Sequence, residues 1–176
     1  MKLNYIIAAL SMVLLSSLAS AGGNHAGGHG EDTTIGQPGK TENVSRSIMI
    51  NMFDSMRYSP ASISVKQGET IKFIVRNSGK IKHEMVLGTE KELKEHYEIM
   101  NKNPEMEHDD KNMVTVQPGK SGEIIWQFTR AGKIDFACLL PGHYDAGMKG
   151  TVMVKSTAGK RDGHARKPDR ISGPQY

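Results

Sequence analysis

Disulfide bonding is excluded within this chain, because its 176 residues contain a single cysteine, Cys138. Long apolar runs are nearly absent too. The one candidate, Tyr5 to Leu18, is short for a membrane span. With Lys2 before it and Ala19-Ser20-Ala21 after it, residues 1–21 read as a secretory signal peptide cut after Ala21. The expected product is exported and periplasmic, with no stable membrane span. A basic folded surface is also missing. The formal charge is +4, yet residues 22–154 carry 16 basic and 17 acidic side chains. The excess sits in the tail from Lys155, with six basic and two acidic residues. Nucleic acid is therefore not an expected partner, and a solvated or docking tail is. Aromatics make up 6% of the chain, and its one tryptophan, Trp126, alternates with Ile124 and Phe128 as core. No nucleophile triad or phosphate loop is present, which argues against the common hydrolase and nucleotide-binding classes.

What is present divides the chain into four parts. After the signal peptide, residues 22–45 form a Gly- and Thr-rich leader with little to bury. His25 and His29 lie in it, in a His/Gly tract suited to weak copper binding. Cleavage one residue later, after Gly22, would make His25 third in the mature chain, as a square-planar Cu(II) site requires. A solvated tail with two incidental histidines reads equally well. From Arg46 to Lys155 short β-type runs recur between turn signals such as Gln67-Gly68 and Pro118-Gly119. About eight strands at this spacing predict an all-β sandwich able to fold without metal. The tail spans residues 156–176 and shows no periodicity.

The β pattern is interrupted at residues 89–111. Thr89 and Glu92 form a capping-box pattern, and Leu93, Tyr97 and Met100 fall at i, i+4 and i+7, which predicts one helix packed on the sandwich. From Glu90 to Asp110 the insert has eight acids and three lysines. It also carries His96, Met100, Met106 and His108, a candidate second, softer copper patch. A solvated helix and loop is the plainer reading.

The chemistry concentrates in Cys138-Leu139-Leu140-Pro141-Gly142-His143-Tyr144-Asp145-Ala146-Gly147-Met148. A thiolate, an imidazole and a thioether on one loop suit copper, whereas zinc gains little from a thioether. Pro141-Gly142 turns the chain so that Cys138 and His143 can converge. A trigonal site needs a second histidine, and His83 in the strand-like Lys82-His83-Glu84-Met85-Val86-Leu87 is the candidate. Ligation also explains an unpaired cysteine in an oxidising compartment.

At these residues, and over roughly Arg46 to Lys155 including Tyr58-Ser59-Pro60 and Val65-Lys66-Gln67-Gly68-Glu69-Thr70, the chain resembles the cupredoxins, the blue copper proteins. Its C-x4-H-x4-M loop is as long as in the rusticyanin and auracyanin type. The His-Glu-Met segment, the Pro-Gly-His-Tyr loop and the His/Met insert are most similar to exported cupredoxins of bacterial copper tolerance. The resemblance implies a Greek-key sandwich and one type 1 copper, with His83, Cys138 and His143 in the plane and Met148 axial. It further implies a one-electron carrier with no open coordination position, and so not an enzyme beyond oxidation of cuprous ion. The alternative is a copper-sequestering or copper-delivery protein using the additional His/Met residues. A redox or copper-delivery protein is the expected partner. One departure stands out: Glu84 occupies the place where many cupredoxins have an asparagine bonded across to the ligand loop.

Overall fold

The computed structural model describes residues 35–104, 106 and 109–157. The signal peptide, His25, His29, His108 and the tail from residue 158 lie outside the described residues. The elements in order are β1 (Gln37–Pro38), a short 3-10 turn (Thr41–Asn43), β2 (Arg46–Phe53), β3 (Arg57–Ser59), β4 (Ser62–Lys66), β5 (Thr70–Asn77) and β6 (His83–Gly88). They continue with α1 (Glu90–Lys102), β7 (Met113–Val116), β8 (Ser121–Gln127), β9 (Gly132–Ala137) and β10 (Lys149–Lys155). Two five-stranded sheets result, in the orders β1-β8-β5-β2-β3 and β4-β10-β9-β6-β7. The β2–β5 and β4–β10 pairs are parallel and the remaining pairs antiparallel. This is the expected sandwich with ten strands rather than eight.

The two added strands are instructive. β3 is three residues long, and β1 lies in the stretch read from the sequence as leader. Residues 35–45 nonetheless close on the fold: Gln37 and Pro38 pair with Gln127 and Trp126, and Ile35 is buried. The Trp126 indole N–H donates to the Ile35 carbonyl at 2.7 Å. A buried indole needs an acceptor, and the chain before the first long strand provides it.

Alternation along β4, β8 and β10 puts Ile63, Val65, Ile124, Trp126, Val152 and Val154 between the sheets. β6 is buried at every position, because both of its faces are covered. Met85 and Leu87 face the main core with Phe136 and Cys138. Val86 joins Ala137, Leu139 and Tyr144 in a smaller cluster capped by Leu93, Tyr97, Met100 and Met113. The helix starts where the capping box predicts: Glu92 N–H donates to Thr89 Oγ1 and Thr89 N–H to the Glu92 carboxylate. Its buried residues are the stripe Leu93, Tyr97 and Met100. Each buried side chain of that size stabilises docking by about 1.5–3 kcal/mol.

Candidate metal centre

β6 begins on His83, which is fully buried, and β9 runs directly into Cys138, also fully buried. Period-two alternation sets Cys138 on the inner face with Phe136, while Ala137 and Leu139 turn outward to the helix. The following loop closes on itself. His143 N–H donates to Leu140 O, Ala146 N–H to Gly142 O, and Gly147 N–H to Tyr144 O, all at 3.0–3.1 Å. Gly142 and Gly147 have φ of +81° and +92°, the region that side chains disfavour. Met148 N–H then donates to His143 O, and Cys138 N–H to Met148 O. The loop thereby returns its third sulfur- or nitrogen-bearing residue to the level of the first.

The result is a cluster of donors. Cys138 Sγ lies 3.2 Å from His143 Nδ1, and His83 Nδ1 lies 3.3 Å from the same atom. The ligand atoms of His83, Cys138 and His143 all fall within 4.8 Å of one another. Met148 is fully buried in the core cluster that contains Cys138. Two imidazole nitrogens and one sulfur, converging from β6 and the loop between β9 and β10, fit a soft or borderline metal. His143 is half-buried and forms the solvent side of the cluster.

Surrounding groups fix these donors. Asp54 Oδ1 lies 3.0 Å from His83 Nε2, which leaves Nδ1 to face the cluster. The Lys80 N–H, with further help from His83, holds the Asp54 carboxyl below its ordinary range. Glu84 fills the role of the missing asparagine: its Oε1 accepts from Leu139 N–H at 2.7 Å, tying the first-histidine strand to the ligand loop. The Tyr58 hydroxyl donates to Glu84 O. Tyr97 on α1 accepts from Gly142 N–H at 3.1 Å and donates to Asp145 Oδ2 at 2.8 Å, and its ring stacks on Tyr144. Arg57 donates to Ala146 O at 2.8 Å. Burial, with the nearby Glu84 charge adding, pushes the Cys138 thiol up to about 12. Burial, then His83, lowers the His143 imidazole, so its neutral form persists further into acid.

Residues 44–155 match the family of copper-binding proteins that includes plastocyanin and azurin. The chain belongs to that family. The cupredoxin is 48% identical over 136 residues to the copper-resistant cuproprotein CopI of Rubrivivax gelatinosus, covering 76% of this chain and 82% of that protein. It is 36% identical to the CopI of Pseudomonas aeruginosa, covering 82% and 94% respectively. Among solved structures, reduced auracyanin from Roseiflexus castenholzii superposes with a TM-score of 0.54 at 24% identity, covering 63% of this chain and 98% of that one. Auracyanin B does so with a TM-score of 0.57 at 20% identity, covering 68% and 96%. These two show the fold alone. Copper is the cofactor that the family binds, and the cupredoxin presents a His-Cys-His donor group for it.

The candidate second patch divides. Met100 and Met106 line one cavity of about 620 Å³, and His96 is not among its lining residues. Met113, read from the sequence only as part of a strand, is. Asp54, Arg57 and the Tyr97 hydroxyl were likewise not legible as parts of the site. Asp54 lies 29 positions before His83 in a turn, and nothing local signals the contact.

Proposed function

We propose that the protein is an exported, periplasmic cupredoxin of copper tolerance that carries single electrons on one type 1 copper. The convergence of His83 Nδ1, Cys138 Sγ and His143 Nδ1 in a largely buried cluster carries this reading. In it these three residues, with Met148, would hold the copper. Copper bound there supplies reversible Cu(I)/Cu(II) chemistry.

The chain supplies the rest. Asp54 orients His83, the Glu84–Leu139 bond fixes the distance from β6 to the loop, and Tyr97 and Arg57 hold the loop from outside. Donors held this firmly reorganise little when charge changes. With every donor drawn from protein side chains, no open position remains for a substrate, so the reading is of a carrier and not an enzyme. His143, the half-buried edge, faces a redox partner. Export rests on Lys2, the apolar run to Leu18 and Ala19-Ser20-Ala21. Among the described residues no helix is long and apolar enough to cross a membrane. The tolerance setting is supported by the relatives, both named copper-resistant cuproproteins.

A second reading, copper sequestration or delivery, is favoured by the methionine-lined cavity beside the ligand loop. Copper loading with visible absorption and redox cycling tests the first. An intense thiolate-to-copper band that bleaches with one electron per chain supports it. A colourless copper-loaded protein would rule it out.

A further inference from the structure

One cavity beside the edge strand β7 collects thioethers from three separate elements. Met100 comes from the last turns of α1, Met106 from the loop after it, and Met113 from the first position of β7. Met100 and Met113 are 3% and 6% exposed, whereas Met106 is 46% exposed. Two of the side chains therefore belong to the wall and the third stands at the solvent side. Glu84 and Asp109 add carboxylates to the lining, and Lys82 adds one opposing positive charge.

Apolar packing explains one side of Met100 and Met113, which contact the cluster of Leu93, Tyr97 and Leu139. It does not explain an exposed methionine facing the same space. Thioethers are neutral, soft donors on flexible stems, so three of them can close on a soft cation without stacking up negative charge. Hard Mg²⁺ and Ca²⁺ need oxygen ligands, and Zn²⁺ takes little from thioethers. Cu(I) is the biological ion that fits.

We propose that this cavity is a second copper site, binding Cu(I) through Met100, Met106 and Met113, with Glu84 and Asp109 offsetting its charge. The site is continuous with the first. Glu84 follows His83 in β6, and Leu140, another lining residue, lies two positions beyond Cys138. Glu84, which lines the cavity, also accepts from Leu139 N–H through its carboxylate. An ion held there would lie beside the strand that carries His83 and the loop that follows Cys138. Its role as a holding station for copper rests on the function proposed above, but its binding does not.

The test uses the full chain with methyl-labelled methionine, loaded with one copper, reduced, and titrated anaerobically with Cu(I) against a chromophoric chelator. A second equivalent should bind and move the Met100, Met106 and Met113 methyl signals together, while Zn(II) moves none of them. The volume-conserving variant M100L/M106L/M113L should keep the first equivalent and its visible band and lose the second. Met106→Leu alone, at an exposed position, should weaken the second equivalent by about tenfold or more, the range that even outer contacts to a metal site show. A second equivalent that leaves these three methyls unmoved, or survives in the triple variant, overturns the proposal, as does wild-type protein that stops at one. A chain that lacks the visible band but still shifts the three methyls would sink the type 1 reading and leave this one standing.

Discussion

Two regions of this molecule bring soft donors together, and they do so by different means. At the ligand loop, Cys138, His143 and Met148 are joined by a closed circuit of backbone hydrogen bonds, and His83 is delivered by a neighbouring strand of the same sheet. In the insert, His96 and Met100 stand four apart on α1, a spacing that permits one helix face. They separate there, with Met100 buried in the helix–sheet cluster and His96 only half-buried. Met100 instead shares a cavity with Met113, thirteen positions away on a strand. Loop closure constrains donors through short chain length and backbone hydrogen bonds. Helical spacing only says which side chains are neighbours, and the surface under the helix decides what each one meets.

The sharpest way to break this contrast is Cys138→Ser. It should abolish the visible band and most copper affinity at the first site while the sandwich stays folded, checked by absorption and circular dichroism. Loss of fold would show that the loop depends on the thiol and not only on its backbone bonds. Acidity comes next. Burial pushes the metal-free thiol up to about 12, so it is protonated at neutral pH and copper must displace its proton. Affinity measured against a chelator should therefore fall about tenfold on lowering the pH by one unit from 8. A flat profile would mean the thiol is already ionised.

Smaller effects test the surroundings. Met148→Leu should retain copper and raise the reduction potential by about 59 mV or more, since losing a donor disfavours Cu(II), and each such step is tenfold in a one-electron equilibrium. An unchanged potential would remove Met148 from the ligand set. Asp54→Asn should also raise the potential, by less, because a carboxylate on His83 Nε2 strengthens the imidazole as a donor. Equal potentials would reduce Asp54 to a brace for the Lys80 N–H. Tyr97→Phe removes two hydrogen bonds to the loop and should cost about 1–3 kcal/mol in denaturant unfolding, with the band position nearly kept. His96→Ala, by contrast, should leave the band and the potential where they are.

Much of this is legible in the sequence. The C-x4-H-x4-M spacing, the turn at Pro141-Gly142 and the alternation around His83 are short-range patterns, and short-range geometry is set by backbone stereochemistry. The helix cap at Thr89 and the buried stripe of α1 were legible for the same reason. Glu84 could be seen as a departure, but its sequence position could not reveal that its carboxylate reaches Leu139 N–H across 55 residues. Residues 35–45 looked like leader because their composition is polar, yet Trp126 needs the Ile35 carbonyl and so draws them in.

The sequence by itself therefore determined the sandwich, its inserted helix and the donor set on the loop, because each is written in spacings of a few residues. The tertiary structure decided which carboxylate orients His83, which hydroxyl braces the loop and which three methionines share a cavity. Those contacts join segments dozens of positions apart, and only the packing of sheet on sheet and helix on sheet sets the distances between them.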